Sequence, residues 1–441
     1  MVPALFIKEC RQILKSILYW VFLGVILVFY TTQLGMNFAG DDIQEAKQST
    51  VYNFSNPLME PPQGLENYGT RSAEIPEQVM PAATYRLWGE YSENKYLCYP
   101  IGFYKNVRLN DSQQERIAQI IEEITGQTPE QLGNTVQKAF SKFDPNLPIF
   151  ENSLNFSDFV PIRVSYEQFK AYMAEIDSTL GGGSGYALEN LASYGHVPVT
   201  YEEKAAEQKE IITMEKVTRP YARLFCDYMG IVCALFSVFV PVAFLLRDRR
   251  AGCAQLIASR CIPSACLILI RYLAVLTMLT IPFFLLSLPA LVELAVYGAS
   301  QGWSVDYLAF VKYIFAWLVP TLMFCTSVGF FFTILTDTPI GVALMFLYSM
   351  FSIFTANGLS SGQYGLSLAI RHNNLWHADV IHSNFEALCF NRLFYVAVSL
   401  VLIAATVILY ELKRRGKLDV YGKLQKIISR VKGSVPTRHR G

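Results

Sequence analysis

Long apolar runs alternate with charged stretches along this chain. A helix needs about 20 mostly apolar residues to cross ~30 Å of hydrocarbon. Six stretches meet that length: Ile17 to Phe38, Leu224 to Leu246, Tyr272 to Tyr297, Tyr307 to Leu335, Pro339 to Asn357 and Leu393 to Leu412. Asp227 and Lys312 interrupt two of them near their starts. Pro241, Pro282, Pro289 and Pro320 fall inside the runs. They predict kinks rather than ends, because neighbouring helices can satisfy the backbone groups that proline frees. Ahead of the first run, Phe6, Cys10, Ile13, Leu14 and Ile17 recur at helical spacing, with Lys8, Glu9, Arg11, Gln12 and Lys15 on the other face. That pattern predicts an amphipathic helix over residues 1–16, lying in the membrane interface.

Residues 40–219 have a different texture. DSQQERIAQIIEEITG carries a helical stripe in Ile117, Ile120, Ile121 and Ile124. TPEQLGNTVQKAF opens with Thr128 at the N-cap and Pro129 at the first helical position. SYEQFKAYMAEI is a third helix, opened by Ser165, and GGGSG (Gly181 to Gly185) is a flexible break. VTYEEKAAEQKEIITMEKV reads as a long helix capped by Thr200 and stopping at Arg219-Pro220. Val51 to Val107, rich in Pro, Tyr and Asn, predicts loops with short strands. The segment is long enough for one domain with its own core, of mixed α/β character.

Composition agrees with a membrane protein. Of 441 residues, 52% are hydrophobic and 17% charged, against roughly 25% charged in soluble domains. Charge placement then predicts orientation, since Lys and Arg accumulate on the cytoplasmic side. Lys8, Arg11 and Lys15 precede the first run, Arg247, Arg249, Arg250 and Arg260 lie between the second and third, and Lys413, Arg414, Arg415 and Lys417 follow the sixth. In residues 40–219 acidic side chains outnumber basic ones. One topology fits all four signals: a mainly α protein of six transmembrane helices in the plasma (inner) membrane, both termini inside. Residues 40–219 and 358–392 are then extracytoplasmic, while 247–262 and the basic tail 413–441 are cytoplasmic. The first run is expected to stay attached: it exceeds a usual signal-peptide core, and TTQLGMNFAGDD offers no clear A-x-A site.

Candidate chemistry is sparse. No GxxxxGK[ST] pattern occurs, so ATP binding through a P-loop is not expected, and no HExxH, GxSxG or kinase signature is present. The chain therefore does not read as an enzyme or as a cofactor binder. His372, His377 and His382 are spaced by five, which turns each about 140° from the last on a helix and suits no metal site. Of nine cysteines, only Cys98 lies within residues 40–219, which excludes an internal disulfide there. Arg223, Asp227, Arg271 and Glu293 lie near the membrane ends of their runs. Intramembrane charges are functional candidates, but snorkelling near the ends favours a structural role. Arg223 and Asp227 have the i, i+4 spacing of a helical ion pair. Arg392, just before the sixth run, is placed to anchor at the headgroups.

The stretch LLRDRRAGCAQLIASRCIP, between the second and third runs, is longer than a plain loop requires. It resembles the corresponding loop of the type-2 ATP-binding-cassette export permeases, which reads D-R-E-x-G-T, a short apolar helix, P-x-S, then a basic residue opening the third span. The matching positions are Asp248, Arg249, Arg250, Gly252, Cys253, Pro263, Ser264 and Arg271, with Arg250 where the family usually has Glu and Cys253 where it has Thr. The end, NRLFYVAVSLVLIAATVILYELKRRGKL, is similar to that family's last span, and the order of segments fits its layout.

The resemblance implies a permease subunit that pairs with a second permease copy in the bilayer and binds separate ATPase subunits. Asp248, Arg249, Arg250, Gly252, Gln255, Leu256 and Ile257 would form the coupling helix against the ATPase, and the amphipathic start would lie beside it. Residues 358–392 would correspond to the family's outer helices between spans five and six. The alternative from a different class is a membrane receptor or sensor whose extracytoplasmic domain binds a ligand. Neither reading involves nucleic acid, and neither names a substrate.

Overall fold

The computed structural model describes residues 2–48, 56–65, 68–99, 105–141, 155–253, 256–257, 259, 262–354 and 364–417. The fold is mainly helical and divides into two compact units, Pro61–Ala205 and the combination of Met1–Glu60 with Ala206–Gly441.

In the second of these, four helices among the described residues are long and apolar enough to cross a membrane: Thr218–Arg250, Ser264–Ser300, Ala309–Thr336 and Phe385–Arg414. Val2–Leu14 and Ile17–Gln33 join at a 69° bend and count as a fifth if taken as one broken span. Six spans were expected, so the structure supports four or five by length. The shortfall has identifiable causes. Ile17–Gln33 has 17 residues, and Ile340–Phe354 has 15, with residues 355–357 of that run outside the described residues. Three of the other helices exceed their apolar runs, because backbone hydrogen bonding continues past the apolar residues, as from Ser264 to Arg271 at one end or through Lys413 and Arg414 at another, while Ala309–Thr336 stays within two residues of its run at each end.

Pro282 and Pro289 lie within the continuous Ser264–Ser300 helix. Ala309–Thr336 contains a π-helical turn at Ile314–Leu318, just before Pro320. Pro220 falls in the first turn of Thr218–Phe236, where its missing N–H has no helical acceptor to lose. The break expected at Arg219-Pro220 instead occurs at Lys216 and Val217, both with positive φ. The preceding helix, Tyr201–Lys209, is capped as expected by Thr200, whose Oγ1 accepts from Glu203 N at 3.2 Å.

The amphipathic start differs from its prediction in an informative way. Ile13 is fully buried, but Leu14 and Ile17 of the same predicted stripe are 42% and 81% exposed. Glu9, assigned to the polar face, is buried. The extended backbone at Ser16 rotates the following helix out of register, so one helical face cannot continue through Ile17.

Gly40–Gln48 packs with this unit: Ile43 joins its apolar core, and Tyr221 donates to Asp42 Oδ2 at 2.7 Å. Glu293 lies against Gly40, where an added Cβ would stand 2.6 Å from its Oε2. The flanks of the predicted extracytoplasmic segment therefore belong with the apolar helices.

The Pro61–Ala205 unit is helix-dominated. Its principal helices are Pro76–Glu93, Asp111–Thr125, Pro129–Phe140 and Tyr166–Leu180. Capping boxes start the last three, from Asn110 with Gln113, Thr128 with Gln131 and Ser165 with Gln168. Its described strands form two antiparallel ribbons: Thr70–Ser72 with His196–Pro198, and Tyr96–Cys98 with Lys105–Val107. The stripe Ile117, Ile120, Ile121 and Ile124 is buried in its core with Phe169 and Met173. Mixed α/β character is thus limited to short ribbons on a helical body.

Candidate functional site

The loop that follows the Thr218–Arg250 helix is shaped by its own chemistry. Arg247, Arg249 and Arg250 occupy the last helical turn, where the dipole favours cations. Gly252 then adopts φ +67°, a left-handed conformation cheap only for glycine. Cys253 N reaches back to Asp248 O at 3.0 Å, and Ile257 N bonds to Cys253 O at 3.0 Å, the spacing of one new helical turn. Leu256 is 68% exposed. Gln255 lies outside the described residues, as do Ala254, Ala258, Arg260 and Cys261. Of the predicted coupling residues, the described ones keep Leu256 on the surface while Asp248 turns inward.

Asp248 faces Arg271. Arg271 Nη2 stands 2.7 Å from Asp248 Oδ2, and its Nε stands 3.3 Å from Glu9 Oε1. One guanidinium is held between carboxylates from two other helices. Arg247 Nη2 donates to Gln12 Oε1 at 2.6 Å and lies 3.2 Å from Asp248 Oδ1. Phe244 packs beneath both cations, its ring centroid 4.9 Å from Arg247 and 5.7 Å from Arg271. The amphipathic helix, the end of one apolar helix and the start of the next are thereby fastened together. Removing one partner of such a buried pair costs about 3–5 kcal/mol, since the remaining charge is left unpaired.

A neighbouring group extends the fastening. Arg249 Nη1 donates to Asp337 O at 3.0 Å, and Lys413 Nζ reaches Asp337 Oδ2 at 2.7 Å. Arg414 donates to Ile262 O at 2.7 Å, Arg415 pairs with Glu411 at 2.7 Å, and Ser264 donates to Glu411. Sequence reasoning found Asp248, Arg249 and Arg271, but missed Glu9, Gln12, Asp337 and Glu411. A lone acid on a basic helical face was the available signal at Glu9. Asp337 and Glu411 carry none beyond lying beside span ends.

A second network surrounds residues 364–378. Arg223 and Asp227 do not pair with each other. Arg223 is fully buried; its Nη1 contacts both Glu215 oxygens at 2.8 Å and its Nη2 donates to Leu375 O at 2.9 Å. Asp227 Oδ2 accepts from His372 N at 2.8 Å and Asn373 N at 3.0 Å, where Asn373 has φ +60°. The i, i+4 spacing thus places two grips on one irregular segment, because loop backbone groups are closer partners than the opposing side chains.

Arg392 is likewise buried rather than at a headgroup boundary. It donates to Trp317 O at 3.0 Å, to Ser367 O at 3.0 Å and to Leu368 O at 3.1 Å, while Asn391 Nδ2 donates to Gly365 O and Ser367 O. Trp317 O belongs to the π-helical turn and also accepts from Thr321 Oγ1 at 3.4 Å. Arg392 is held inward by these three carbonyl acceptors.

His372 Nε2 donates to Trp376 O at 2.8 Å, and burial lowers its pKa, favouring the neutral ring. His377 and His382 are exposed. Among the described residues no group of three His, Cys, Asp or Glu side chains is placed to hold a metal ion. Comparison with models of protein families, with curated proteins and with solved structures finds no match.

Proposed function

We propose that this chain is the membrane-spanning subunit of an ATP-binding-cassette exporter, working with a separate ATPase subunit and a second permease copy. The observation that carries the reading is the Glu9, Arg271, Asp248 clamp beneath an exposed Leu256. A partner pressing on Leu256 and Ile257 acts on a short turn fixed at its base. Because Arg271 and Asp248 belong to successive apolar helices and Glu9 to the amphipathic helix, a push there displaces all three together. Movement of a cytoplasmic partner is thereby conveyed to the membrane helices without covalent chemistry in this chain. Asp248 and Arg271 are also motif positions of the permease resemblance, and the sequence itself contains no P-loop.

In this reading the plasma membrane holds the chain with both termini and residues 247–262 cytoplasmic. Arg249 serves as an internal tie to Asp337, and Arg250 as an exposed cation. Arg223, Asp227 and Arg392 hold the segment between the last two apolar helices, while Glu293 packs against Gly40.

Co-purification tests the proposal. The tagged full chain is expressed with a candidate P-loop ATPase subunit. A stoichiometric complex that survives gel filtration in mild detergent is expected. Recovery of the chain without ATPase, with its fold intact, contradicts the proposal.

A second reading, a receptor whose Pro61–Ala205 unit binds a ligand, draws on a cleft of about 1040 Å³ in that unit. Trp88 and Tyr91 line it, and Trp88 Nε1 donates to Pro129 O at 3.0 Å. That reading predicts recruitment of a signalling protein in place of an ATPase.

A further inference from the structure

The 69° bend between Val2–Leu14 and Ile17–Gln33 opens a groove against the end of Phe239–Arg250. Its volume is about 830 Å³, and its polar lining includes Lys15, Ser16, Arg247 and Arg250. Arg247 is committed to Gln12 and Asp248. Lys15 and Arg250 are exposed and make no ion pair with another described residue. The Ser16 side chain makes no capping bond, which leaves its hydroxyl available as a donor. The nearby carboxylate of Asp248 is already occupied by Arg271. The groove mouth is therefore a cationic site whose positive charge the described protein leaves unbalanced.

An apolar path leaves this mouth. Ile17 and Leu18 line the groove and are 81% and 40% exposed, and Trp20 and Val21 beyond them are 59% and 53% exposed. A free inorganic anion has no use for that path. A molecule with an anionic head and hydrocarbon chains uses both parts. A basic amphipathic helix at a membrane surface gains from each cation near anionic lipid, and apolar contact along an acyl chain adds to that gain.

We infer that this groove binds the headgroup of one anionic glycerophospholipid, with its phosphate among Lys15, Ser16 and Arg250 and an acyl chain along Ile17 and Leu18. The inference requires the chain to lie in a membrane but is independent of the exporter reading, since it involves no ATPase.

Native mass spectrometry of the full chain in detergent tests it. The protein is titrated with equal amounts of phosphatidylglycerol and phosphatidylcholine carrying the same acyl chains. The wild type is expected to retain phosphatidylglycerol several-fold over phosphatidylcholine. A K15A/R250A variant should fall to near parity, whereas K8A/R11A, which removes two cations of the same helix outside the groove, should keep the preference. Millimolar inorganic phosphate should leave it unchanged. Three results overturn the site: no preference in the wild type, an unaltered preference in K15A/R250A, or an equal loss in K8A/R11A, which indicates a diffuse surface field. Displacement by inorganic phosphate overturns the assignment to lipid. All four substituted positions are exposed, so folding is expected to survive, and a thermal melt of each variant confirms that the readings compare folded proteins.

Discussion

The two charged networks of the apolar unit use similar residues for different ends. Around Arg223 and Arg392, cations satisfy carbonyl groups of residues 364–375, and Asp227 accepts two backbone N–H groups. The partners there are mostly main chain, and the central side chains are buried. Around Arg271, side chain meets side chain across three helices, and the adjoining turn keeps Leu256 and Arg250 exposed. The first arrangement holds an irregular segment in place. The second joins three helices and leaves Leu256 and Arg250 exposed beside the joint. Ionisable residues near membrane ends are thus sorted by what their partners are, rather than by their depth in the sequence pattern.

That contrast can be broken by substitution. The largest loss is expected for Arg223→Met, which strands buried Glu215 and frees Leu375 O. Denaturation in detergent should show a loss near the upper end of about 3–5 kcal/mol. A loss below 1 kcal/mol would mean that the segment is held by other contacts. Arg271→Met should cost less, near the lower end of the same range, because Asp248 retains Arg247 as a partner. Its signature is local: amide exchange in Val2–Leu14 should accelerate while the Pro61–Ala205 unit is unchanged. Uniform acceleration throughout the chain contradicts the clamp.

Asp42 sharpens the comparison from a third position. Burial raises its pKa to about 6, against the stabilising hydrogen bond from Tyr221. A carboxyl whose folded pKa lies above its unfolded value contributes stability at low pH and loses it as pH rises through the folded value. The wild type should therefore weaken between roughly pH 4 and 7 through this group, by up to about 3 kcal/mol. The D42N variant should lack that component in thermal melts across the same window. The smallest effect is expected at Arg250→Ala, within about 0.5 kcal/mol, because the side chain is exposed and unpaired among the described residues. A larger change would move Arg250 into the clamp.

Much of this arrangement was legible in the chain. Apolar period located the long helices, because hydrocarbon burial requires an unbroken run. Ser, Thr and Asn caps located helix starts in the 61–205 unit, because unpaired N–H groups need local acceptors. The motif resemblance marked Asp248 and Arg271 singly, as a coupling-loop position and a charge at a span end, and not as partners. What stayed hidden depends on long-range partners. Glu9 and Arg271 are 262 positions apart, and nothing local to either predicts that distance. The inward turn of Arg392 follows from carbonyl acceptors at Trp317, Ser367 and Leu368, which lie 24 to 75 positions away and leave no local signature. Pairing of Arg223 with Asp227 failed as an expectation because spacing along a helix does not weigh the loop that packs against it.

The central claim is that the exposed turn after Asp248 passes a partner's motion to the membrane helices. It is tested most directly by measuring ATP hydrolysis of the co-expressed ATPase with the full chain carrying Leu256→Asp and Ile257→Asp, reconstituted in lipid. The expected result is a loss of at least about tenfold in permease-stimulated hydrolysis, corresponding to about 1.4 kcal/mol or more of coupling, with the chain's melting unchanged. Equal complex formation and unchanged stimulated hydrolysis in the double variant would contradict the account.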